Sequence, residues 1–250
     1  MNWSKYKKSL EKTFRRLRCR LLGGQRILVL GDSHAGVFEY IFDHDLWPPH
    51  LINCDIVGGA TAHGLNNDHS VTRAFEKYQD ALRRFPDYGT VLIMLGEVDC
   101  SFALWHRASQ KGESAAMQIP QALSGVERLL DLLAADKRRH TVALVGAILP
   151  TIKDHQIDQQ AFELRRKIKA TQRQRSALVL AFNQALGELA VRRGLPYVDI
   201  TSVTIDPELG VVRDEFLVEA GIDHHQSQKR TAPLWVEALQ CLLHRETGRP

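Results

Sequence analysis

Residues 26–34 read Arg26-Ile27-Leu28-Val29-Leu30-Gly31-Asp32-Ser33-His34, and the fold is decided there. The apolar run is short and uninterrupted, as a strand buried on both faces requires, and the glycine that ends it hands the chain to a polar loop. A helical pattern resumes near Ala35. Working outward, strand-like runs recur at Leu51 to Val57, Thr90 to Leu95, Thr141 to Leu149 and Pro196 to Ile200. Helical patterns lie at Ser70 to Arg84, Pro120 to Asp136, Gln160 to Arg193 and Ala232 to His244. Strands alternating with helices predict parallel βαβ units, and five of them fit an open doubly wound sheet. The expected fold class is α/β, a flavodoxin-like three-layer sandwich with a five-stranded parallel sheet. Such sheets bind ligands beyond the carboxyl ends of their strands. Those ends carry Gly31-Asp32-Ser33-His34, Gly58-Gly59-Ala60-Thr61 and Gly96-Glu97-Val98-Asp99.

Ser33, between a buried strand and a helix, is placed to present its hydroxyl to a cleft with free backbone N–H groups nearby. A serine hydroxyl needs a base, and the base needs a carboxylate to orient it. Asp223-His224-His225, just before the last helix, supplies both residue types.

With these blocks in this order the chain resembles the SGNH (GDSL-like) hydrolases, whose first block is Gly-Asp-Ser and whose last is an Asp and His pair before the final helix. The likeness spans Ile27 to about Leu243. It implies a Ser33 nucleophile, an oxyanion hole formed by the N–H groups of Ser33 and Gly59, His225 as base and Asp223 as its orienter. His225-Gln226-Ser227 sits like the family's His-Leu-Ser; His224 is the other candidate base. Asn183, Leu186, Ala190, Gly194 and Asp199 look like the family's penultimate helix and last strand. The segments Gly59 to Leu65 and Gly96-Glu97-Val98-Asp99-Cys100 also resemble a bacterial subgroup with a Gly-Glu-x-Asp-Cys third block.

Two positions depart from the family pattern. Val98 stands where the third-block asparagine donates a side-chain N–H to the oxyanion, which leaves Asn66 or Asn67 to compensate or turnover to suffer; one such donor is worth about 100- to 1000-fold in rate. Asp223 precedes the histidines by one and two places rather than three. Glu97 and Asp99 read either as site residues or as carboxylates capping the following helix. Asp32 and His34 further resemble the opening Asp-x-His of calcineurin-like metallophosphoesterases, but the Gly-Asn-His segment of that family is missing from the sequence. Neither a cofactor nor a metal is therefore expected. The function implied is a serine esterase or O-acyltransferase, with an acylated bacterial glycan as the substrate guess. The rivals are a non-catalytic ligand-binding protein of the same fold and a metal-dependent phosphoesterase built on Asp32 and His34.

In the chain of 250 residues, 44% are hydrophobic and 25% charged, the balance of a globular protein. No apolar run approaches the ~20 residues of a membrane span. The four cysteines are scattered without metal-ligand spacing, as for free thiols in a reducing, cytoplasmic setting. The net charge of +4 is concentrated at the start: residues 1–22 hold eight Lys and Arg against Glu11. The remainder has 25 basic and 28 acidic residues, so nucleic acid is not an expected partner. Trp3, Tyr6, Leu10, Phe14, Leu17 and Leu21 recur at steps of three or four, predicting a basic amphipathic helix over residues 1–24 ahead of a domain at 25–250. That stripe is expected to dock on the body, with an anionic inner-membrane surface or a partner protein as the alternatives. The basic run Arg165, Arg166, Lys167, Lys169, Arg173 and Arg175 reads as a solvated helix face.

Overall fold

A computed structural model describes residues 13–136, 138, 140–156, 168–219 and 223–247. After a helix at residues 13–21 (α1) come β1 (Arg26–Gly31), α2 (Gly36–Asp43), β2 (Leu51–Ile56), α3 (Ala74–Arg84) and β3 (Thr90–Met94). There follow α4 (Leu104–Lys111), α5 (Ile119–Ala134), β4 (Thr141–Val145), α6 (Gln172–Arg193), β5 (Tyr197–Val198) and α7 (Gln228–Thr247). The sheet runs β2-β1-β3-β4-β5 with every pairing parallel. This is the doubly wound order, and its switch point lies between β1 and β3.

Both faces of the sheet are covered because successive side chains of a strand point to opposite sides. Ile27 and Val29 join Phe38, Ile41, Trp235 and Leu239 under α2 and α7, with the Phe38 and Trp235 rings 5.8 Å apart. Leu28 and Leu30 join the opposite core, built with α3, α5 and α6. The all-apolar reading of residues 27–30 is thus explained by burial on two sides.

The boundaries moved where side chains replace ladder bonds. The expected fourth strand, to Leu149, stops at Val145, because Asn183 takes over: its Oδ1 accepts the Ala147 N–H at 2.8 Å and its Nδ2 donates to the Ala147 carbonyl at 2.8 Å. The expected helix from Gln160 begins at Gln172, behind a capping box of Thr171 and Gln174. Residues 160–167 of that expectation, with Arg165, Arg166 and Lys167, lie outside the described residues. Of the rest of the basic run, Arg175 is buried and donates to the Ile152 carbonyl at 2.6 Å, so the solvated-face reading fails there.

The amphipathic helix also differs from expectation. Trp3, Tyr6 and Leu10 lie outside the described residues, but Phe14, Leu17 and Leu21 face solvent instead of the body. No helix among the described residues is long and apolar enough to cross a membrane.

Candidate active site

The site is built outward from the end of β1. Asp32 leaves the sheet with its N–H on the Met94 carbonyl and caps the turn Ser33–Ala35, accepting the His34 N–H at 2.9 Å. Ser33 is the one partly exposed residue between two buried ones. That turn holds the hydroxyl at the carboxyl edge of the sheet, at the switch point. The Ser33 hydroxyl makes no hydrogen bond among the described residues. Catalytic hydrogen bonds often tighten only in the substrate complex.

Below Ser33 the His34 ring is 1% exposed. Nδ1 donates to Asp32 Oδ1 at 3.0 Å, and Nε2 lies 3.2 Å from the His224 carbonyl and 3.3 Å from Glu97 Oε2. Ser101 Oγ donates to the other Glu97 oxygen. Burial alone lowers the imidazole pKa, but the Glu97 and Asp32 carboxylates reverse that and raise it to about 9. At neutral pH His34 is therefore a buried cation with both N–H groups engaged. It ties together the β1 loop, the β3 loop and the histidine loop.

The histidine loop repeats the motif at the surface. Asp223 Oδ1 accepts both the His225 N–H at 2.9 Å and His225 Nδ1 at 2.7 Å, whereas His224 Nδ1 stands at 3.7 Å. Burial pushes the Asp223 carboxyl up, and the His225 bonds more than offset it, leaving it below its usual range. Thr151 Oγ1 donates to the Asp223 carbonyl at 2.8 Å and Gln226 Nε2 to the Leu149 carbonyl at 3.1 Å, stitching this loop to the segment after β4. The His225 and His34 ring centres are 4.8 Å apart. His225 Nε2 makes no hydrogen bond among the described residues.

On the opposite side, Gly59 has φ +72°, a left-handed conformation that favours glycine. Neither its N–H nor that of Ser33 has an acceptor among the described residues, as an oxyanion hole requires. Gly96 has φ +125°, and a Cβ there would come within 2.4 Å of the Phe182 ring. Its lack of a side chain is what lets the β3 loop pack on α6. Val98 is half-buried and brings no donor. Asn66 is turned away: its amide donates to the Gln121 carbonyl and to Ser124 Oγ at 2.7 Å, and Asn67 Oδ1 accepts the His69 N–H. The Asn66 amide is thereby committed to α5 in this arrangement.

Asp99 caps the loop after β2 rather than its own helix. Its oxygens accept the N–H groups of Ala62 at 2.7 Å and His63 at 3.1 Å. Complete burial raises its pKa to about 7 despite those bonds. Cys100 is a buried small side chain, as expected.

Donor atoms of His34, His224 and His225 lie within 4.8 Å of one another, the spacing of a three-histidine metal site. Within that group His34 Nδ1 is already paired with Asp32 Oδ1 at 3.0 Å and Nε2 faces the His224 carbonyl at 3.2 Å and Glu97 Oε2 at 3.3 Å, contacts that a metal ion would have to displace together with any ring proton. The same bonds oppose an Asp32 and His34 metal pair. Ser101 and Thr151 were missed in the sequence. Ser101 stands four residues after Glu97, a helical spacing that would have pointed to it had a helix been expected there.

The sequence matches no family model, and no curated protein is significantly similar to it. Solved structures do share the fold. A GDSL-like lipase from Bacteroides thetaiotaomicron superposes with a TM-score of 0.53 at 13% identity, covering 89% of each chain. A lipase/acylhydrolase from Enterococcus faecalis gives 0.52 at 15%, over 85% of this chain and 94% of that one. An acetyl xylan esterase gives 0.51 at 13%, over 87% and 98%. The five-stranded parallel sheet flanked by helices is the SGNH hydrolase fold.

Proposed function

We propose that this chain is a serine-dependent esterase or O-acyltransferase that works through a Ser33 acyl-enzyme. The observation that carries the reading is the Asp223 and His225 pair at the carboxyl edge of the sheet, with Nδ1 on the carboxylate at 2.7 Å and Nε2 unengaged. His225 Nε2 takes the Ser33 proton as Oγ attacks the acyl carbonyl, and the N–H groups of Ser33 and Gly59 stabilise the oxyanion. The imidazolium then returns the proton to the departing alkoxide. Water or a sugar hydroxyl, deprotonated by His225, attacks the acyl-enzyme and frees Ser33. His225 is preferred to His224 because Asp223 holds it by two hydrogen bonds, while His224 stands at 3.7 Å. Asp32, Glu97 and His34 act beneath the site as its electrostatic frame.

The substrate class proposed is an acylated glycan. It is supported by the likeness of fold to an acetyl xylan esterase and by the resemblance to the bacterial subgroup. The decisive measurement is hydrolysis of p-nitrophenyl acetate by wild type and Ser33→Ala. Loss of roughly 1000-fold or more is expected. Equal rates would reject Ser33 as nucleophile, and no hydrolysis by either protein would favour a ligand-binding role. Inhibition by chelator would instead point to metal chemistry. Release of acetate from an O-acetylated glycan panel by wild type but not by the variant tests the substrate class.

A further inference from the structure

The helix at residues 13–21 is fixed to the body by one side and bare on the other. On the fixed side Cys19 is buried, Arg15 donates to the Phe42 carbonyl with its guanidinium 4.7 Å from the Phe42 ring centre, and Arg18 pairs with Asp45. On the bare side Phe14, Leu17 and Leu21 are 63%, 53% and 72% exposed, with Leu22 next to them at 67%. Single exposed apolar residues are ordinary, but a contiguous set on one helix face marks an interaction surface. Arg15 and Arg18 keep the helix from rolling that face inward.

The chemistry of the missing partner follows from charge. In the sequence the stripe continues upstream at Leu10, Tyr6 and Trp3, among Lys5, Lys7, Lys8 and Lys12, and Glu11 is the lone acidic residue of the first 22. Arg20 is exposed along the flank of the described part of the stripe, and Arg16 is exposed elsewhere on the same helix. Two copies meeting face to face would bring like charges together. A surface that is apolar below and anionic above satisfies both features, with the aliphatic stem of Arg20 reaching toward phosphate and Arg16 adding to the basic field of the helix. We infer that this helix is an interfacial anchor that lays Phe14, Leu17 and Leu21 into an anionic lipid surface. It is independent of the chemistry at Ser33.

Flotation of the full chain with phosphatidylcholine vesicles, with and without phosphatidylglycerol, tests this. Binding to the anionic vesicles is expected, lowered at least ~10-fold by Leu17→Ser with Leu21→Ser, and by a similar factor by Arg16→Glu with Arg20→Glu. Unchanged circular dichroism would show that the variants fold, as their exposure implies. Absence of binding, binding undiminished in both variants, or a wild-type dimer that the serine variant converts to monomer would overturn the inference. The last outcome would assign the stripe to a second copy.

Discussion

Two Asp-x-His segments, Asp32 to His34 and Asp223 to His225, meet at one edge of the sheet with the same local geometry. In each, one carboxylate oxygen accepts both the histidine backbone N–H and Nδ1. Their surroundings differ. The His34 ring is 1% exposed and its Nε2 faces Glu97 and the His224 carbonyl; the His225 ring is 27% exposed and its Nε2 is unengaged. Burial among carboxylates favours the protonated form of His34, while at His225 the ring stands partly exposed with Nε2 unengaged. In the proposed mechanism identical local chemistry serves as a frame in one place and as a base in the other, and the difference lies in what faces Nε2.

The largest test of that contrast is His225→Ala beside His224→Ala. The first is expected to slow ester hydrolysis by about 100- to 10000-fold and the second by less than ~10-fold, read from steady-state rates. The reverse order would move the base to His224 and break the comparison.

For the buried pair the expected loss is in stability. His34→Gln leaves the Asp32 and Glu97 carboxylates without their cation and should lower unfolding free energy by about 3–5 kcal/mol in urea titration. The pH dependence sharpens this. A histidine raised to about 9 in the folded protein holds its proton more tightly than when unfolded. Its contribution is full below the ordinary histidine value of 6.5 and is lost as pH rises through about 9. Asp99, raised to about 7 from an ordinary 3.8, acts in the same direction between about 4 and 7. Stability should therefore decline toward alkaline pH, and the part of the decline between about 7 and 9 should vanish in His34→Gln. A variant with the wild-type slope would show that His34 is not the titrating cation.

The smallest effect is expected at Asn66. With its amide committed to Gln121 and Ser124, Asn66→Ala should change the hydrolysis rate less than ~3-fold, against the 100-fold or more typical of an oxyanion donor. A large loss in kcat would bring Asn66 into the site after all.

Much of the fold was legible because it rests on local signals. Four unbroken apolar residues before Gly31 imply a doubly buried strand, and Thr171-x-x-Gln174 marks a helix start to any reader who looks for a capping box. For the candidate site, chain order alone anticipates where Ser33 sits after β1 and that Asp223 stands beside His225. The roles of Asp99, His34 and Asn66 were not, because they depend on contacts across 36, 190 and 55 positions of sequence. Asp99 resembles a cap of its own helix until the loop after β2 is seen resting on it. The solvent-facing stripe of α1 was likewise hidden, since periodicity reveals a face but not what it meets.

The two-residue β5 also governs how the molecule behaves in company. A sheet edge is a template for any chain that can match its unpaired backbone, and long flat edges invite polymerisation. Here the outer row is only Tyr197 and Val198, and the chain leaves it at once as Asp199 accepts the Tyr197 hydroxyl at 2.7 Å and the Thr201 N–H. By folding the last strand away so early, the protein offers a neighbour too short a ladder to extend, a safeguard against fibrous self-association at this edge.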